Sequence, residues 1–229
     1  MAWFDWLLIP DCPLCQRPAR RGQRQGCFCA DCAEQLHSLR YQPWQTPLTP
    51  ESPPLYVWGS YTGLLRRSLQ LLKYQNQPQM GLTLGSWLGE AWQGSRRDWQ
   101  RIDKLGVVPI PLHAERLQKR GYNQAELLSR AFCHVTGMTH FPAMLARRRS
   151  TQAQYGLSTT ARQENLKGAF QVMQPVAMPL LIIDDIYTTG ATVAAAIQAL
   201  SASGTSVVGI IVAARPRLVV QSREQPLSV

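Results

Sequence analysis

The sequence predicts an α/β protein, a parallel sheet flanked by helices, with a small cysteine-rich segment at its N-terminus. Three observations carry this. Short apolar runs alternate with stretches of helical period along most of the chain. One of those runs ends in two adjacent acids followed by a Thr/Gly turn and a helix-forming stretch. Two C-x2-C pairs, Cys12/Cys15 and Cys29/Cys32, stand near the beginning, with thirteen residues between them.

The elements follow in order. Residues 1–40 hold five of the six cysteines and read as a four-cysteine finger or ribbon. Each pair can wrap a turn around one metal, and two pairs make a tetrahedral Zn2+ site of Cys12, Cys15, Cys29 and Cys32. Cys27 is the alternative to Cys29; the two-residue gap of C-A-D-C favours Cys29. So short a segment has little core of its own, so metal binding would supply folding energy. Residues 41–55 contain five prolines and read as an extended linker. The strand Leu55–Tyr61 opens the main domain, 56–217. Thr62 starts a helix with apolar positions at Leu64, Leu65, Leu69 and Leu72, and a second helix runs from about Gln79 to Gln93. Leu105–Ile110 is a strand, Asn123 to about Gly137 a helix, Leu180–Ile183 a strand, Thr192–Ser201 a helix and Val207–Ala213 a strand. The tail 218–229 reads as loosely held. Cys133 falls in a helical run, as a small core residue.

Lysine and arginine outnumber acids 24 to 14, a net charge of +10. The excess is clustered at Arg17–Arg24, Arg116–Arg120, Arg147–Arg149 and Arg215–Arg217, a distribution suited to polyanions such as nucleic acid or a pyrophosphorylated sugar. No apolar run is long enough for a transmembrane helix. The first ten residues include an acid and no basic residue, so a secretory signal is not expected and a cytoplasmic, thiol-reducing location is.

The most informative stretch is LLIIDDIYTTGATV, Leu180 to Val193. It reads as a buried strand, a phosphate-cradling turn and a helix N-terminus whose free N–H groups attract an anion. Thr188, Thr189, Gly190, Ala191 and Thr192 form the turn. Asp184 and Asp185, placed just past the strand's carboxyl end, suit sugar hydroxyls or Mg2+ rather than phosphate. Neither a G-x-x-x-x-G-K-[ST] loop nor a G-x-G-x-x-G turn after a strand is present. The stretch resembles the 5-phosphoribosyl-1-pyrophosphate (PRPP) motif of type I phosphoribosyltransferases. The resemblance implies that the acids hold the ribose hydroxyls and the turn holds the 5′-phosphate.

Two further segments narrow the likeness. In VVPIPLHAERLQKRGYNQAELL, Val107 to Leu128, a strand ends in Pro109, Ile110 and Pro111, and a basic turn carries Arg116, Lys119 and Arg120. Arginine forks on a rigid loop suit a pyrophosphate. RRRSTQAQYGLSTTARQENLKGAF, Arg147 to Phe170, is polar and reads as a mobile loop, with a surface hairpin as the competing form. V-P-x-P-L, R-x-x-x-R-G-Y-N-Q-A-x-x-L and T-x-x-Q-x-x-L-x-x-x-x-R-x-x-N-x-x-x-A-F are very similar to the ComF/GntX (competence protein F) family. That resemblance implies a type I phosphoribosyltransferase-like fold, PRPP with Mg2+ as ligand, and a closing loop whose Arg162 stabilises the departing pyrophosphate. Lys73, followed by Tyr74 where the family often has an aromatic, would be a phosphate contact. It also implies single-stranded DNA as a partner, with a role in DNA uptake, natural transformation or DNA utilisation alongside competence and DNA-translocation proteins. Trp44, Trp58 and Tyr122 are stacking surfaces or packing residues. The chain departs from the family in lacking a second set of cysteine pairs. It departs from oxopurine-salvage enzymes in having Thr188 where they carry an aspartate base. A metabolic phosphoribosyltransferase and a non-catalytic PRPP sensor are the alternative readings.

Overall fold

The computed structural model describes residues 10–18, 22, 24–41, 44–45, 52–94, 104–148 and 168–216. Most of the expected linker, the loop residues through Arg162 and the expected tail lie outside the described residues.

Three strands, β4 (Leu55–Ser60), β5 (Gly106–Pro109) and β9 (Leu180–Ile186), grow from the apolar runs, and all but Ile186 of their residues are buried. Near-continuous aliphatic runs of this kind belong to strands covered on both faces. With β10 (Val207–Arg215) and the short β6 (Thr139–His140) they form five parallel strands. An edge strand β3 (Trp44–Gln45) pairs antiparallel with β4, giving the order β3-β4-β10-β9-β5-β6. β3 falls inside the proline-rich stretch, two residues that no periodicity could announce.

Alternation sorts the side chains. Leu181, Ile183, Ile211 and Val107 join the core beneath α2 (Gly63–Tyr74), α3 (Pro78–Gly94) and α5 (Gln124–Thr136). Leu180, Ile182, Ile210 and Val108 face α6 (Ala191–Ala202) and the hairpin of β7 (Leu145–Arg147) and β8 (Phe170–Val172). These two strands flank the polar stretch, whose residues 149–167 lie outside the described residues; strands this short carry no sequence signal. The basic turn after β5 is a helix, α4 (Ala114–Arg120), closed by Gly121 at φ +82°.

The packing of α3 on α5 sets where the site's first turn lies. Gly81, Gly85 and Gly89 recur every four residues on α3, and a Cβ at Gly85 would stand 2.3 Å from the Leu128 carbonyl oxygen. The glycines let the two backbones nearly touch, as a small-residue stripe does wherever helices approach closely. The Asn123 side chain then fixes the start of α5, accepting the Ala125 N–H at 3.1 Å and donating to the Ile110 carbonyl at 3.0 Å.

The cysteine segment does not stand apart. Its β1 (Arg24–Gln25), β2 (Phe28–Cys29) and α1 (Ala30–His37) bury Phe28, Ala33 and Leu36 in the same core as Trp58 and Trp87. The Phe28 and Trp87 rings lie 5.5 Å apart, and Trp58 stacks on Trp87 at 5.8 Å. Burial against α3 therefore stabilises this segment alongside any metal it holds. No helix of the described residues is long and apolar enough to cross a membrane.

Candidate functional site

The chain leaves β5 through α4 and α5 to one face of the sheet and leaves β9 through α6 to the other. Divergent exits from adjacent parallel strands open a crevice at their carboxyl ends, where open α/β sheets take ligands. A cavity of about 320 Å³ lies there.

Asp184 and Asp185 form its floor. The sequence places them just beyond the strand; they lie within β9, which continues to Ile186 because Asp184 pairs with Val212 and Ile186 with Ala214 on β10. Being consecutive in a strand, they point to opposite faces. Asp185 turns toward α2 and α5. Its carboxylate pairs with the Lys73 ammonium and accepts Gln124 Nε2 at 3.5 Å, while Gln124 Oε1 accepts from Arg120. Burial works against the Asp185 charge, but the Lys73 ammonium outweighs it and holds the carboxyl below its ordinary value. Asp184 accepts the Asp185 backbone N–H at 2.8 Å, and no ion pair to it forms among the described residues. Burial, reinforced by the neighbouring Asp185 charge, pushes it well above the usual carboxylate range. Lys73, expected as a phosphate contact, lines the cavity and pairs there with Asp185.

After β9 the chain turns through Tyr187–Gly190 into α6. Gly190 is the N-cap at φ +78°, and a Cβ there would meet the Tyr187 hydroxyl at 2.2 Å. Only glycine fits both constraints. Gly190 has no side chain to cap α6, and the Thr189 hydroxyl accepts the Ala191 N–H at 3.5 Å, which leaves the other N–H groups of the first turn for a ligand. The Arg215 guanidinium lies over the Tyr187 ring, 5.7 Å from its centroid, and backs the turn. Thr188 and Thr192 reach the cavity; Thr189, Gly190 and Ala191 shape the turn without lining it.

The opposite wall is cationic. Arg116 and Arg120 project from α4, with Ile110 and Pro111 beneath them; Pro109 is buried in β5 and does not line the cavity. Arg147, at the end of β7, joins them and lies over the Phe170 ring at 5.6 Å. Burial, then repulsion from Arg116, lowers the Arg147 pKa. Gln124, Arg147, Tyr61 and Tyr74 also line the cavity, and none of the four was named as a site residue from the sequence. Gln124 does sit in the R-G-Y-N-Q motif and Arg147 in an arginine run, but only the fold brings them to β9. Arg162 lies outside the described residues. Of the expected stacking aromatics, Trp58 is 2% exposed and Tyr122 is tied by its hydroxyl to the Leu72 carbonyl; both pack. The Trp44 side chain is not among those described.

At the N-terminus the sulfurs of Cys12, Cys15, Cys29 and Cys32 all lie within 4.8 Å of one another, with Cys15 and Cys29 at 3.6 Å. Zn–S bonds of about 2.3 Å in a tetrahedron separate sulfurs by about 3.8 Å, so the four thiols fit a metal of that size. Cys27 stands outside the group. Its N–H donates to Thr83 Oγ1 at 3.1 Å, the Thr83 hydroxyl donates back to its sulfur at 3.4 Å, and burial pushes its thiol up to about 11. Cys133 is buried in α5, as expected.

No model of a known protein family matches the chain. Among curated proteins, the DNA utilization protein YhgH of Salmonella typhimurium is 30% identical over 200 residues, covering 87% of this chain and 81% of its own. Competence protein F of Haemophilus influenzae is 29% identical over 195 residues, covering 76% of this chain and 82% of its own. Among solved structures, a phosphoribosyltransferase from Corynebacterium diphtheriae overlaps 81% of this chain and 82% of its own at 18% identity and a TM-score of 0.36, a likeness too loose to add weight. The parallel sheet with helices on both faces and the four-cysteine cluster have the architecture that the sequence resemblance implied. With about 30% identity over more than four fifths of both chains, this chain belongs to the family of competence protein F and YhgH, the ComF family.

Proposed function

We propose that the crevice binds PRPP with Mg2+, in a phosphoribosyltransferase-type protein that handles single-stranded DNA in the cytosol, and that Cys12, Cys15, Cys29 and Cys32 hold a structural Zn2+. One observation carries the first part. Two buried acids, a helix N-terminus behind a glycine turn, and cations from three separate elements line one cavity of about 320 Å³.

Each part meets one portion of such a ligand. Asp184 and Asp185 accept from neighbouring ribose hydroxyls. Thr188, Thr192 and the N–H groups opening α6 take the 5′-phosphate. Arg116, Arg120 and Arg147 face the pyrophosphate and offset the charge that grows on it as it leaves. The oxygen-only donor set of the two carboxylates suits Mg2+, which keeps waters and phosphate oxygens as its other ligands and neutralises the pyrophosphate when bound. The names of the relatives support the DNA part, as does the excess of basic residues.

Calorimetric titration with PRPP and with ribose 5-phosphate, each with Mg2+, tests the reading. Binding of both, abolished by Asp184→Asn with Asp185→Asn in a folded protein, is the expected result; unchanged affinity would remove the assignment. Labelled PRPP with a panel of nucleobases then separates a metabolic transferase, which turns over with one base, from a protein that only binds.

A further inference from the structure

We propose that Tyr74 is a stacking platform for an unpaired nucleobase at the mouth of the crevice, with neighbouring phosphates carried by arginines of α2 and α4. The proposal rests on the reading of the crevice above as a ribose-phosphate site.

Tyr74 is the last residue of α2 and is 77% exposed, more than any other large apolar side chain among the described residues. Its ring belongs to the cavity wall. One side is taken by the Arg120 guanidinium, 5.8 Å from the ring centroid. A tyrosine held on one side by an arginine and open to solvent at the entrance of a cationic pocket presents its remaining face to a planar ring. The mount is firm, because the Tyr122 hydroxyl donates to the Leu72 carbonyl and ties the α4–α5 turn to the end of α2.

The surroundings select a polyanion. α2 carries Arg66, Arg67 and Lys73 and no acid. Arg67 is exposed and seven residues before Tyr74, so it lies on the same face two turns back, about 11 Å along the axis. Across the mouth α4 contributes Arg116, Lys119 and Arg120 against a single acid, Glu115. An apolar protein partner would find cations on both helices that flank the ring. A strand with one base on Tyr74 and its phosphates over Arg67 and Arg120 satisfies both the ring and the charges. Stacking does not read base edges, so binding is indifferent to sequence.

The test uses the full-length protein at one fixed salt concentration, because phosphate contacts vary with salt. Tyr74→Ala and Tyr74→Trp are compared with the unaltered protein for a fluorescent single-stranded oligodeoxyadenylate, an abasic oligonucleotide of equal length, and AMP. Tyr74→Ala is expected to weaken the base-bearing strand roughly 5- to 150-fold, Tyr74→Trp to keep its affinity, and the abasic strand to bind all three alike. Loss of AMP binding in step with the strand would show that a free nucleotide also uses the platform; loss for the strand alone would confine it to polymers. Equal affinity of Tyr74→Ala and the unaltered protein for the base-bearing strand, or an equal loss for the abasic one, overturns the proposal. Ribose 5-phosphate binding serves as the separate control. Its absence from the unaltered protein would count against the crevice reading while leaving the dependence on Tyr74 to be judged by itself.

Discussion

Lys73, at the end of α2, and Asp185, the penultimate residue of β9, form an ion pair across the floor of the crevice, with side chains 19% and 6% exposed. The pair links the helical wall to an interior strand of the sheet, and the Lys73 charge holds the Asp185 carboxyl below its ordinary value. Removing one partner leaves the other buried without compensation. Lys73→Met should therefore cost about 3 kcal/mol of unfolding free energy, and Lys73→Met with Asp185→Asn should recover most of it. Urea unfolding of the four members of this cycle measures the coupling. Additive losses would mean that the pair contributes nothing.

The second acid gives a pH signature. Asp184 has a folded pKa raised well above that of the unfolded chain, near 3.9. Its contribution to stability is full below the unfolded value and is lost as pH rises through the folded one. Asp184→Asn should thus melt higher than the unaltered protein at pH 7, with the difference shrinking toward pH 4. Asp185 runs the other way: its lowered pKa contributes stability above the unfolded value that disappears as pH falls through the folded one. Thermal melts of both asparagine variants from about pH 2 to 8 separate the two, and a gain for Asp184→Asn that does not change with pH would contradict the assignment.

The cysteine geometry distinguishes ligands from a bystander. Cys32→Ser should lower bound zinc from one equivalent toward none and loosen the N-terminal segment. Cys27→Ser, whose sulfur meets Thr83 instead, should retain a full equivalent. Elemental analysis of the purified variants settles this, and metal loss in Cys27→Ser would reverse the choice.

The glycine stripe of α3 makes a packing prediction. Gly85→Ala places a methyl against the Leu128 carbonyl, and the overpacking should cost about 2 kcal/mol. Because α5 carries Asn123 and Gln124, the shift should also weaken ribose 5-phosphate binding. Gly94→Ala, where a Cβ meets nothing within 4 Å, is the matched control. Chemical denaturation and titration of both variants give the two readouts.

Order along the chain determined a great deal here. Alternating apolar runs and helical periods foretold the parallel sheet, and D-D-I-Y-T-T-G-A-T foretold a turn leading into a helix N-terminus, because residues within about ten positions of each other are held together by the backbone itself. The spacing of the cysteine pairs named the four thiols that do meet. The tertiary structure decided the rest, and always across long separations. It gave Lys73 to Asp185, a contact between residues more than a hundred positions apart. It added Gln124 and Arg147 to the wall, buried Trp58 and left Tyr74 in the open. It also seated the cysteine segment on α3. None of these has a local signature, since each depends on where a helix end comes to rest against a sheet edge, and that is set by how the apolar faces pack together.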